Sequence, residues 1–284
     1  MISDELSAAM PKSIAVSELL KYDKKGKISI ICKDKNSSLL YFFTGVVVCT
    51  VISFLFMDID WIKLISRVPS IGDVFFKLMH FDFTKTDLIG RAFAETVSIA
   101  LLSTIYSMIL GLVFGMIAAE NIFRIHILSV IVKSFFTFLR AVPTPVWVLL
   151  MLVCMGFGPS AGIAGLCVHT TAFFTKSFAQ SFEDIPDETI EALEVTGADK
   201  ITVFTNAVLP AALSQLIAWI GVRFEINFSE CAILGMVGAG GIGFVISSNI
   251  QAYEYGAAGA AIICVFLFAF AIERLFVRIK GAIK

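Results

Sequence analysis

The sequence predicts an all-α, polytopic membrane protein with about six transmembrane helices. Two observations predict it. The 284-residue chain is 58% hydrophobic and only 16% charged, with a mean hydropathy of +0.89. Its apolar residues are gathered in blocks, most of about 20, long enough as helices to cross a hydrocarbon core of ~30 Å. A water-soluble fold would instead distribute them with a period of 3.6 or 2.

The spans follow in order. The first runs roughly Leu39–Phe56 and the second Thr96–Ala119. A third apolar region, Ile127–Met155, is interrupted by Pro143 and Pro145. The fourth is Ala161–Phe178, the fifth Ala211–Leu234 and the sixth Ala257–Val277. Residues 1–37 are polar and hold seven lysines before the first block. A secretory signal sets a short charged region directly before its apolar core, so this segment reads as a cytoplasmic tail, amphipathic around Ile14–Leu20. The domain reading is therefore a tail (1–37), a first span with an extracytoplasmic loop (38–91), and a core (92–284) that carries a polar segment at 183–210.

Charge placement orients the spans. The basic tail and the C-terminal Arg274, Arg278, Lys280 and Lys284 fall on one side of an even number of spans, and that side should be cytoplasmic. The connections Gly156–Ser160 and Met236–Gly256 carry no Lys or Arg. The 57–91 connection carries five, balanced by five Asp. A plasma-membrane location with both termini cytoplasmic follows. The net charge of −1 gives no reason to expect a nucleic-acid partner. Six widely spaced cysteines, five of them in apolar blocks, read as small packing residues with no disulfide or metal spacing.

One stretch between the apolar blocks is polar and mostly acidic: Glu191-Ala192-Leu193-Glu194-Val195-Thr196-Gly197, closed by Leu209-Pro210. Pro186-Asp187-Glu188-Thr189 reads as a helix start, with acids near the positive end of the dipole. Gly197 permits a sharp turn. A second helix, Ile201–Val208, leads to Pro210 in the first turn of the next span. On the predicted topology this segment is cytoplasmic, where a partner subunit can dock.

The Glu-Ala pair, the Gly six residues after the Glu and the Leu-Pro twelve after that Gly resemble the cytoplasmic signature of permeases of ATP-binding-cassette importers. Further residues resemble the permeases of phosphonate-type importers. They include Arg223-Phe224-Glu225-Ile226-Asn227, Leu234 through Gly243, Glu95 through Ala100, and Arg140-Ala141-Val142-Pro143 with Val146-Trp147. Gly156-Phe157-Gly158-Pro159 and His169-Thr170-Thr171 with Lys176 agree as well. The likeness covers about residues 92–277. Leu193 stands where the family usually has a second Ala, and Ala207 where it usually has Ile. Both are apolar and still suit an ATPase groove.

The resemblance implies a type I importer permease fold and a homodimeric pathway in the lipid membrane. It implies a cytoplasmic ATPase dimer that grips the coupling segment through Glu191, Ala192, Gly197, Leu209 and Pro210. It also implies an extracytoplasmic phosphonate-binding protein. ATP and Mg would belong to the ATPase, and the permease itself would hold no cofactor and do no covalent chemistry. No Walker A sequence occurs. A methionine-type or other small-anion permease is the nearest alternative within importers. A secondary transporter would call for internal repeats, which the sequence lacks. A structural membrane scaffold is the third class.

Intramembrane ionisable residues are costly and mark candidate pathways. Arg223 lies 13 residues beyond Pro210, ~20 Å along a helix. Arg223, Asn227 and Glu230 share one helical face, and Glu225 points elsewhere. They form either an internal ion pair or a polar wall that meets an anion. Arg140 and His169 are further candidates for the wall, though a lone histidine in a span also suits plain packing. Lys133 and Lys176 are placed to snorkel, and Trp147 and Trp219 to pack or anchor. Gly238, Gly240 and Gly243 satisfy G-x-G-x-x-G, but they follow a membrane span and not a strand, which excludes a dinucleotide site. Gly238, Gly240 and Gly241 then mark close helix packing or broken backbone lining the path.

Overall fold

A computed structural model describes residues 33–57 and 60–282. The reading of 1–32 as a tail with an amphipathic stretch lies outside them. The described chain is helical, and its contacts divide it at Val68/Pro69. The first unit holds α1 (Lys33–Phe56) and the start of α2 (Trp61–Met79). The side chains of α1 are exposed from Leu39 onward, as suits a helix facing lipid. Phe54 stacks on Trp61, with ring centroids 5.8 Å apart.

The second unit begins with the remainder of α2. The sequence reading treats 57–91 as a loop, yet half of it is this helix. Lys63, Arg67, Ser70, Asp73 and Lys77 recur at spacings of three and four and form one polar stripe on it. Next comes α3 (Thr86–Ala118), which starts ten residues before the expected second span. Its polar first turns look like loop in the sequence. They are helical because Asp87 sits at the positive end of the dipole and pairs with Arg91 (3.2 Å).

A short turn, α4 (Glu120–Phe123), leads to α5 (His126–Ala141) and α6 (Thr144–Met155). These two form the third apolar region and meet at 84°. Pro143 has extended backbone (φ −59, ψ 141) and lacks the N–H that would bond Leu139. The indole Nε1 of Trp147 takes that carbonyl instead, at 3.1 Å.

The fourth span is α7 (Pro159–Glu183), the central helix of the bundle. It packs most extensively against α3 and also against α5, α6 and the fifth span. Four described helices are long and apolar enough to cross a membrane, or five if the bent pair counts as one. The difference from six lies in α7. It is 25 residues long, but surrounded by other helices it can carry hydroxyls, His169 and Lys176 in place of lipid-facing apolar groups. Gly111 and Gly115 of α3 allow this close approach. A Cβ at Gly111 would collide with Phe174, and one at Gly115 would reach the Phe178 Cβ at 3.0 Å.

After α7 come α8 (Asp187–Glu194) and α9 (Lys200–Val203). A π-helical turn over Phe204–Val208 then joins α9 to α10 (Leu209–Leu234) without a break. Pro210 falls in the first turn of α10, as expected. The wider turn, in which the Leu209 N–H bonds the Phe204 carbonyl, relieves the clash a proline makes with the carbonyl four residues back. A second π turn (Gly235–Ala239) ends this 40-residue helical run. At ~60 Å it exceeds the hydrocarbon thickness about twofold. Two helices close the chain: α11 (Ile242–Gln251), inside what reads in the sequence as a loop, and α12 (Tyr255–Ala282).

Candidate functional site

Helices α7 and α10 run antiparallel and bring their polar faces together midway along the bundle. Arg223 is 3% exposed. Its Nε donates to Thr170 Oγ1 (3.2 Å), and its Nη2 donates to His169 Nδ1 (3.2 Å) and Glu230 Oε2 (3.3 Å). A guanidinium has no acceptor, so His169 accepts through Nδ1 and carries its proton on Nε2. The network runs on: Thr170 Oγ1 donates to Asn227 Oδ1 (3.0 Å), and Asn227 Nδ2 donates to Thr104 Oγ1 on α3 (2.9 Å). Thr144, at the start of α6, donates to the other Glu230 oxygen (3.4 Å). Such a chain of bonds stabilises a buried charge that would be prohibitive alone.

The sequence reading of one face for Arg223, Asn227 and Glu230 matches this geometry. Both readings of Arg223 meet here, because it is paired with Glu230 while its neighbour His169 is half-buried. Asn227 departs from the wall assigned to it. It is 0% exposed and spends its amide between α3 and α7, so it braces the wall from behind. Arg140 is exposed, with no carboxylate within 4 Å among the described residues, and its guanidinium lies 5.3 Å over the Phe173 ring. Thr104, Thr144 and Phe173 escape a sequence reading, because nothing in a threonine or phenylalanine of a span marks it as a partner of a distant arginine.

Toward one end of the bundle lies the polar segment. Ile190 is 1% exposed and anchors α8 in an aromatic core of Phe178, Phe182 and Phe204. Glu191 and Ala192 face outward, and Val195 is 88% exposed. Gly197 turns the chain at φ +84, a conformation that side chains resist. Leu209 is half-buried and Pro210 exposed, at the start of α10. The five residues assigned to coupling therefore lie on one contiguous helical arm, and they are not gathered around a cavity.

Ion pairs hold this arm. Glu194 meets Arg124 (3.1 Å) and Lys200 (2.5 Å). The Lys200 hydrogen bond, then the charge of Arg124, keeps the Glu194 carboxyl below the usual carboxylate range. Glu120 is lowered likewise, first by its hydrogen bond from His126 and then by Lys133. Lys133 does not snorkel, as the sequence suggests: it bonds Glu183 (2.7 Å) and Glu120 (3.5 Å).

At the opposite end the helix is broken. Gly238, Gly240 and Gly241 have φ of +114, +83 and +72. The Gly158 N–H donates to the Gly238 carbonyl (3.1 Å), and the Ile242 N–H donates to Thr96 Oγ1 (2.8 Å). Glu95 lies against Gly240. The backbone is broken and closely packed at these glycines.

Apolar helices around an internal ionic centre, with a polar arm projecting from one end, define a multi-pass membrane protein. The chain belongs to the family of binding-protein-dependent transport system inner membrane components, whose model matches residues 111–283. It is similar to the phosphate-import permease protein PhnE of Mycolicibacterium smegmatis, with 31% identity over 79% of this chain and 42% of that one. It is also similar to the phosphite transport system permease protein PtxC of Stutzerimonas stutzeri, with 27% identity over 73% of this chain and 75% of that one. The chain thus spans less than half the length of the first relative. Among solved structures, its fold matches a chain of the MetNI methionine ABC transporter in an inward-facing conformation. That match has a TM-score of 0.64 and 22% identity, over 72% of this chain and 100% of that one.

Proposed function

We propose that this chain is the permease subunit of an ATP-driven importer for phosphorus oxyanions of the phosphonate, phosphite and phosphate class. The observation that carries the reading is Arg223, a guanidinium held inside the bundle next to the exposed cation Arg140. Desolvating an oxyanion within a bilayer requires such a wall, and arginine donors suit phosphonate oxygens. The names of the relatives support the same cargo class.

Two copies of the chain form the path. Arg140, His169, Arg223 and Glu230 line it, Asn227 braces it, and Gly238, Gly240 and Gly241 form its hinge at the far end. Both termini and residues 183–210 face the cytoplasm. There Glu191, Ala192 and Gly197 dock on an ATPase dimer, while Leu209 and Pro210 transmit the pull into α10. The ATPase holds ATP and Mg, and a binding protein delivers cargo from outside. Residues 1–37 are a cytoplasmic tail, 38–91 hold the first span and an extracytoplasmic connection that includes α2, and 92–284 are the permease core.

The test is uptake into proteoliposomes that contain the chain and its ATPase, with the binding protein and ATP supplied. Methylphosphonate, phosphite, phosphate and methionine serve as separate cargoes. ATP-dependent uptake of a phosphorus oxyanion is expected. Methionine uptake alone would move the chain to the methionine-type class, and uptake without the ATPase would overturn an importer of this kind.

A further inference from the structure

Phe173 stands one helical turn from His169 on α7, and Trp219 one turn from Arg223 on α10. The Phe173 ring is the meeting point of two cations from different helices. The Arg223 guanidinium lies 5.6 Å over it and that of Arg140 lies 5.3 Å over it. The ring is itself fixed from another direction. The indole of Trp219 packs against it at 5.9 Å and 76°, and Trp219 Nε1 donates to Ser181 Oγ at 3.2 Å. Beyond Trp219 opens a cavity of about 440 Å³ lined by Gln180, Ser181, Asp184, Ser214 and Gln215. Trp219, which packs on Phe173 and lines that cavity, divides it from an upper level that holds Arg140, His169, Arg223 and Glu230.

The charges in the upper level do not cancel. Glu230 neutralises Arg223, His169 accepts from Arg223 and is uncharged at that contact, and Arg140 has no carboxylate within 4 Å among the described residues. One positive charge is left over, and it sits on the exposed arginine. Two like charges would separate if nothing held them. The face of an aromatic ring is negative and attracts both guanidiniums, with an attraction that grows as water is excluded.

We propose that Phe173 is the positioning residue of a two-arginine oxyanion seat. Its ring holds Arg140 and Arg223 on one level, so that Arg140 supplies the uncompensated charge and Arg223 Nη1, the guanidinium nitrogen that Thr170, His169 and Glu230 do not engage, supplies the fixed N–H donors. The ligand class is a small tetrahedral oxyanion such as phosphonate or phosphite. This inference rests on the reading of the Arg223 cluster as part of the anion path.

The distinguishing feature is the π face and not the volume. Phe173→Tyr and Phe173→Leu both fill the site, but only tyrosine keeps an aromatic face. The test measures KM and maximal rate of methylphosphonate uptake in proteoliposomes of the whole complex, and the melting temperature of each variant. We expect Phe173→Leu to raise KM roughly tenfold with a near-normal maximal rate and melting temperature, and Phe173→Tyr to stay within about twofold of the parent, in line with cation–π strength. If leucine and tyrosine behave alike, Phe173 is packing and the seat is wrong. If leucine lowers the maximal rate without moving KM, the ring acts in movement and not in positioning, which also overturns the proposal. Failure of the parent complex to take up any phosphorus oxyanion would instead sink the proposed function, so the two failures are separable.

Discussion

The buried arginine cluster and the exposed arm at Asp187–Val208 satisfy their polar groups in opposite ways. In the cluster every named donor finds a partner inside the bundle, through a chain from Arg223 to Thr170, Asn227 and Thr104. In the arm the charges bond at the surface, and the one fully buried side chain of α8 is Ile190. The first arrangement cannot move a group without stranding a charge. The second combines surface ion pairs with an apolar anchor through Ile190, Val203, Phe204 and Val208, and it leaves Val195 exposed. Arg223 and the Lys200–Val208 part of the arm lie on one continuous helical run. The aromatic core of Phe174, Phe178, Phe182 and Phe204 joins them.

The largest effect should fall on the rigid side. Arg223→Gln strands Glu230 among apolar helices and should lower stability by about 3–5 kcal/mol, read as a drop in melting temperature in detergent. A change below ~1 kcal/mol would mean that the cluster is wetter and looser than its geometry. Next comes the anchor of the arm. Ile190→Ala removes a fully buried side chain and should cost about 2–4 kcal/mol. It should release the arm for proteolysis while the core around Arg223 stays protected. If the whole chain becomes sensitive together, the two regions are one cooperative body and the comparison fails.

Val195→Asp should leave the melting temperature unchanged, because the side chain touches little in the isolated chain. It should weaken co-purification of the ATPase by about 1–3 kcal/mol, the usual range for a contact inside an interface. Full co-purification would remove Val195 from the docking face. The smallest effect belongs to Glu194→Gln. Its folded-state carboxyl is lowered by Lys200 and Arg124, so its contribution to stability is complete above the ordinary value of 4.5 and is lost as pH falls through the lowered value. The parent protein should therefore lose melting temperature below pH 4.5 more steeply than the variant. Parallel pH curves would contradict the ion pairs.

The same contrast explains what was legible in the sequence. The shared face of Arg223, Asn227 and Glu230 follows from helical spacing alone, and so does the helix start at Asp187. The Gly197 turn is readable because its pattern is local. The central helix α7 is readable as a helix over Ala161–Phe178, but His169, Thr170, Thr171, Thr175 and Lys176 interrupt its apolar run, and that is why it is not among the helices apolar enough to cross a membrane alone. Helix α2 was missed because a stripe spaced by three and four looks like a charged loop when its apolar face is not matched to a partner. The extended start of α3 was missed because Asp87 and Arg91 read as loop until dipole and pairing are counted. The wall position given to Asn227 failed for another reason. Face is a property of one helix, whereas burial between α3 and α7 depends on three.

On the proposed function, Arg223 meets cargo and is more than a strut for Glu230. The direct measurement compares the Arg223→Gln, Glu230→Gln double variant with the parent in ATP-driven methylphosphonate uptake, alongside melting temperature and binding-protein-stimulated ATP hydrolysis. The double variant leaves no stranded charge, so folding and stimulated hydrolysis should return. Uptake should remain lost, because Arg140 alone does not supply the fixed N–H donors that replace the water of the oxyanion. Recovery of full uptake together with folding would make Arg223 structural and contradict the claim.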